Sequence, residues 1–226
     1  MRLSVALIML AFFMASPVHA VDNRAAFWLG AQADGGLGGN GWSNWLTMGQ
    51  IQYRAFDALD GTRQALGLLG LGYRLDRGWR IHARIGYYHT DSPAIGTFRE
   101  IRAAQSASWA GPAWGRFNLR FRGMLEQRTF DERGGTAWRF RPRIGLEWPA
   151  ARFDQVDWMV FSESFVDLRE LDWVDRGLNQ HRFYLGARIP LKVGLNLETG
   201  YQAQWLNPLD TGDLVNHTLV AMFRYR

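Results

Sequence analysis

Six arginines are packed into two short stretches of this chain. "GRFNLRFR" (115–122) carries Arg116, Arg120 and Arg122, and "WRFRPRIGLEW" (138–148) carries Arg139, Arg141 and Arg143. A guanidinium stays charged at any physiological pH, and its planar fork of donors fits a carboxylate or a phosphate with two bonds at once. Two kinds of chemistry follow. The arginines can bind an anionic ligand, or acids of the chain can neutralise them. The acids in matching positions are Glu126, Glu147, Glu163 and Glu198, and Arg182 is a further cation of the same set. Crowded like charges repel unless compensated, and buried ones demand pairing. Internal pairing is therefore the expectation, with Glu163 and Glu198 as partners from elsewhere in the chain.

A different chemistry is suggested by "HTDS" (89–92). His89, Asp91 and Ser92 are the residue types of nucleophilic acyl transfer. A triad is defined by geometry and not by sequence neighbourhood. The competing reading is that His89, His181 and His217 cap an aromatic girdle and meet lipid phosphates. The acidic segment "DLRELDWVD" (167–175) lacks the glycine-punctuated ligand loop of a calcium site and reads as a solvated loop. No metal site, phosphate loop or dinucleotide signature is present, and no cofactor is implied.

The elements that must position these residues have a period of two. In "WRFRPRIGLEW", Trp138, Phe140, Ile144, Leu146 and Trp148 alternate with Arg139, Arg141, Arg143 and Glu147. Side chains two apart share one face of a strand. The same alternation runs through 115–128, "WRIHARIGYY" (79–88), "HRFYLGARI" (181–189) and "GLNLETGYQAQW" (194–205). Aromatics crowd the ends of the apolar faces while the middles are aliphatic or small, as the interfacial girdles of a membrane barrel require. The arginines then face a lumen, together with Arg54, Arg74, Arg80, Arg84, Arg102, Arg188 and Glu100.

Ten spans are readable: 43–56, 65–75, 79–90, 98–109, 115–128, 137–148, 157–167, 181–190, 194–206 and 216–225. Short links at 76–78, 110–115 and 191–193 alternate with longer polar ones at 129–135, 169–180 and 208–215. Short periplasmic turns opposite longer outer loops are the habit of outer-membrane barrels. Residues 24–33, "RAAFWLGAQA", stand outside this count. They are an eleventh strand paired with a short twelfth, a lumenal plug or a periplasmic extension. Pro142, in the middle of a span, removes a ladder hydrogen bond, and a bulge is expected there.

"MRLSVALIMLAFFMASPVHA" has a basic start, an apolar core too short to span a bilayer and a Val-His-Ala ending, and reads as a signal peptide over 1–20. The chain contains no cysteine. A lipoprotein and a disulfide scaffold are thereby excluded. The net charge of +5 is scattered through strands with no basic run, which argues against a nucleic-acid partner.

The blocks "WRFRPRIGLEWP", "WMVFSESFVDL", "LNQHRFYLGARIPL" and "VGLNLETGYQAQW" resemble domain-of-unknown-function family 2490, bacterial proteins regarded as outer-membrane β-barrels. Asn179, Arg182, Phe183 and Tyr184 match the family's asparagine-arginine-phenylalanine-tyrosine block, and Ser162-Glu163 falls where the family places an acid. The likeness covers roughly residues 42–226. It implies fold and location, and no catalytic residues.

The reading is an all-β chain: a transmembrane antiparallel up-and-down β-barrel of about ten to twelve strands. Residues 1–20 are the signal peptide, 21–41 a strand-like or plug segment with a Gly-rich linker, and 42–226 the barrel. A monomer is expected in the bacterial outer membrane. Its partners would be membrane lipid, lipopolysaccharide and, through the C-terminal strand, the barrel-assembly machinery. The expected role is structural or in transport of small solutes, anions among them. A lipid-modifying acyl hydrolase is the alternative.

Overall fold

The computed structural model describes residues 22–38, 43–56, 61–93, 96–131, 133–151, 153, 155–206 and 214–226. The expected signal peptide lies outside them, as does part of the Gly-rich linker. Eleven strands follow one another: β1 (Asp22–Gly36), β2 (Trp45–Phe56), β3 (Thr62–Arg74), β4 (Trp79–Ser92), β5 (Gly96–Trp114), β6 (Phe117–Phe130), β7 (Arg133–Pro149), β8 (Asp157–Asp167), β9 (Gly177–Lys192), β10 (Leu195–Leu206) and β11 (Leu214–Tyr225). Each pairs with its neighbours in sequence, and β1 closes the ring against β11.

That closure answers the question left at residues 24–33. They belong to β1, antiparallel to β2 on one side and parallel to β11 on the other, in register from Asp22↔Leu214 to Ala33↔Tyr225. There is no twelfth strand among the described residues. An odd number of alternating strands can close only where two run the same way, so the parallel seam follows from the count. One rim of the barrel holds the end of β11 and the other the start of β1.

The alternation does what its period requires. In β7, Arg139 and Arg141 are buried, while Trp138, Phe140 and Ile144 are exposed on the outer surface. Outward apolar side chains in mid-strand are bare: Ile51, Leu69, Ile85, Ile101 and Leu219 are each more than half exposed. A groove of about 780 Å³ runs over this surface, floored by Ala31, Gly49 and Gly67 and walled by Ile51, Leu69, Ile85 and Phe223. Aromatics gather at the C-terminal rim. Trp45 stacks edge-on with Tyr73, Trp79 meets Trp109, and Phe117 meets Trp148. Trp138 and Trp148 stand ten residues apart on β7. That is about 33 Å of strand, or about 25 Å of height at a tilt near 40°.

Three local expectations are corrected. Pro142 makes no bulge: it pairs with Gly123 of β6, while toward β8 the pairing simply lapses between Phe140↔Val166 and Arg143↔Glu163 without a change of register. Proline has no N–H to give, and the loss is confined to the side that needed one. Residues 129–135 are mostly strand where described, with a turn at Asp131, and β5 runs on through 110–114 past an irregularity between Ala110 and Ala113. Loop length therefore marks the two rims less cleanly than expected. Arg116 sits in the exposed 115–116 turn over the Phe117 ring and is not lumenal.

Candidate functional site

The inward faces meet in a lumen filled by side chains. Glu100, Met124, Glu126, Phe165, Asp167, Tyr184 and Thr218 are almost wholly buried in it. An interior this crowded with charge is stable only where opposite charges touch, because moving one ion out of water costs several kcal/mol even after relaxation.

Over β5 to β8 the charges do touch. Arg141 donates to Glu126 (2.9 Å) and to Glu163 (3.0 Å), and Arg122 shares the same Glu163 oxygen. Arg84 approaches Glu126 at 4.0 Å. Arg139 grips Asp167 with two bonds of 2.8 Å, and Asn179 adds a third to the same carboxylate. Glu100 holds both Arg102 and Arg128. Nearer the C-terminal rim Glu147 takes Arg120 (3.0 Å) and Arg188 (3.3 Å), and Glu198 takes Arg224. Six carboxylates thus hold nine arginines. The 168–176 loop covers this wall: Trp173 packs edge-on against Phe130 and donates to the Gly134 carbonyl.

Below the rim, where the inward-side Arg74 and Arg80 are exposed, three further inward arginines touch no carboxylate of the described residues: Arg54, Arg143 and Arg182. Arg143 lies on the Phe161 ring, 3.3 Å from its centroid. Arg54 and Arg182 both lie over the Trp28 indole, at 4.3 and 4.8 Å. Such contacts contribute roughly 0.5–2 kcal/mol, less than the several kcal/mol that burial of a charge costs. Glu163 faces Arg182 across the β8–β9 register, but Arg122 and Arg141 already occupy it. Neutral amides hold Arg54 and Arg182 instead. Gln52 and Gln64 accept from Arg54. Gln180, with its oxygen turned inward, accepts from Arg182 at 2.6 and 2.8 Å.

The residues singled out in sequence are thus sorted by the structure. Arg120, Arg122, Arg139, Arg141, Glu126, Glu147 and Glu163 form the paired network. Glu198 serves Arg224, which is outside the six-arginine cluster, and Arg182 lies over the rings of both Trp28 and Phe165, the latter shared with Arg139 and Arg141. Glu100, expected in the lumen, joins the network, and Asp167 and Arg128 complete it as residues not read as lumenal, although Asp167 shares the parity of Glu163 on β8. Asp167 is engaged by Arg139 and Asn179, and among the described residues no group of three or more His, Asp or Glu could hold a metal ion.

"HTDS" is not brought together. His89 and Asp91 are on the outer face of β4, whereas Ser92 is buried and accepts from Thr62. A different histidine has serine neighbours. On the outer surface His181 lies 3.2 Å from Ser162 at Nε2 and 3.0 Å from Ser164 at Nδ1. His217 bridges Tyr201 and Asn23.

A family of proteins of unknown function, DUF2490, matches residues 25–215. The chain belongs to that family. The match includes β1 from Ala25 onward, so the seam strand is part of the family's domain. No curated protein and no solved structure matches the chain.

Proposed function

We propose that this DUF2490 protein is an outer-membrane β-barrel with a packed, cationic interior that serves small anionic solutes. One observation carries the reading: the same strands present bare aliphatic side chains outward and arginines inward, with aromatics at the rim. In water such a belt would be a large exposed apolar patch of the kind monomeric soluble proteins rarely show; in a bilayer it is the required surface. The arginine excess over six carboxylates gives the interior its sign. Residues 1–20 would be removed on export. The test is fractionation followed by conductance of the refolded chain in planar bilayers. The protein is expected in the outer membrane, and what conductance its packed lumen allows should be small and anion-selective. Monodisperse folded protein recovered without detergent, or cation selectivity, would reject the reading.

A second reading rests on His181 between Ser162 and Ser164 on the outer face, where lipid would lie. There a serine hydroxyl would attack a lipid ester while the imidazole takes its proton and returns it to the departing lipid alcohol, and water would then cleave the acyl-serine to release the fatty acid. Release of fatty acid from ester-labelled phospholipid in mixed micelles tests it. Activity lost on His181→Ala and on one serine substitution supports an acyl hydrolase, and undiminished turnover in both rejects this site.

A further inference from the structure

We propose that the carboxylate-free wall of the lumen is a binding site for one small oxyanion, a phosphate or a carboxylate, held between the Arg54 and Arg182 guanidinium groups over the Trp28 indole. The proposal rests on the anion-serving interior described above and gives it an address.

The two guanidinium carbons stand 4.3 and 4.8 Å from one ring centroid, so at most about 9 Å separates them. A guanidinium carbon sits about 4 Å from the central atom of an oxyanion that it binds. One anion can bridge separations up to about 8 Å, which covers nearly all of that range. Each arginine is positioned without being neutralised. Arg54 uses three of its five N–H groups on Gln52 and Gln64, and Arg182 uses two on Gln180. The remaining donors have no carboxylate to meet.

Unmatched polar groups cluster on the same wall. Trp28 Nε1, Gln202 Nε2 and Thr218 Oγ1 can donate and Gln204 Oε1 and Asn216 Oδ1 accept, and all are buried without a hydrogen-bond partner among the described residues. The register places the donors together: Trp28 is opposite Arg54 on β2, Thr218 is opposite Ala26 on β1, and Gln202 is opposite Thr218. Water would satisfy a hydroxyl or an amide, but it would leave two buried positive charges uncompensated. An oxyanion answers both needs at once. Arg143 is the internal contrast, since it lacks a carboxylate but lies on the Phe161 ring and not on the indole.

The test uses the full mature chain refolded in neutral detergent micelles. Its thermal unfolding and titration calorimetry are followed against inorganic phosphate, with sodium chloride holding ionic strength constant. One phosphate per barrel is expected to bind, and the unfolding temperature should rise with the logarithm of its concentration. Arg54→Gln and Arg182→Gln should each weaken binding at least tenfold, and Arg143→Gln should leave it unchanged. If an arginine variant fails to fold, Gln52→Glu supplies the missing carboxylate internally and should abolish the phosphate effect. Acetate in place of phosphate is expected to protect as well, but more weakly. The site is overturned by no protection beyond that of matched chloride up to tens of millimolar. Protection that survives Gln52→Glu, or both arginine substitutions, overturns it too. These outcomes leave the membrane reading to be judged separately by fractionation and selectivity.

Discussion

The wall built from β5 to β8 and the wall running from β9 across the seam to β2 carry the same cation in different company. On the first, Arg122, Arg139 and Arg141 lie against Glu163, Asp167 and Glu126. On the second, Arg54 and Arg182 lie against amides and an indole. The difference separates two uses of arginine. Pairing fixes the paired wall and leaves little capacity for a ligand. Amide support orients a guanidinium while keeping its charge available.

The comparison can be broken most severely at Glu163. Glu163→Gln strands Arg122 and leaves Arg141 with Glu126 alone, and should cost about 3–5 kcal/mol in denaturant unfolding from micelles. A loss below about 1 kcal/mol would mean that the paired wall is not held by pairing. Outside the barrel the two walls should not differ. Ile85→Arg puts a cation in the apolar belt and is expected to cost about 2–4 kcal/mol of refolding stability in lipid. An unchanged midpoint would mean that this face does not meet lipid. On the second wall the sign reverses. Gln52→Glu turns a neutral contact to Arg54 into a charged one and should stabilise by about 1–2 kcal/mol, and destabilisation would show that Arg54 is already compensated. The smallest effect belongs to Pro142→Ala, which returns an N–H toward β8 but loosens the unfolded chain. A gain under about 1 kcal/mol is expected, read from the same melts.

Much of the paired wall was legible, because parity alone decides which side of a strand a residue occupies. Arg139, Arg141, Arg143 and Glu147 all face in, as alternation with Trp138 and Trp148 requires. The same parity already separated His89 and Asp91 from Ser92, three residues from His89 and so on the opposite face. What parity does not show is which residues meet across the lumen. Glu126, Glu163 and Arg141 converge from three strands, and nothing local in "SES" or "LEQ" marks the convergence. The second wall was harder still. Its centre, Trp28, lies in a segment whose strand character was open, and its closure pairs positions such as Gln32 and Arg224, 192 residues apart in the chain. Arg116 was misplaced for the opposite reason: the periodic pattern was extended one residue into a turn.

The parallel seam also determines how the chain can be rearranged. In a barrel of even strand count the two ends emerge side by side, and a short peptide can stitch them together for circular permutation. Here the start of β1 and the end of β11 are separated by the height of the seam, twelve paired residues from Asp22↔Leu214 to Ala33↔Tyr225. A stitching peptide would have to run that height, about 40 Å of extended chain, through a lumen already filled or along the apolar belt. New ends cut at the 193–194 turn are therefore not available by simple splicing. The same geometry suits a two-sided reporter, because tags placed ahead of Asp22 and after Arg226 would stand at opposite mouths of one barrel.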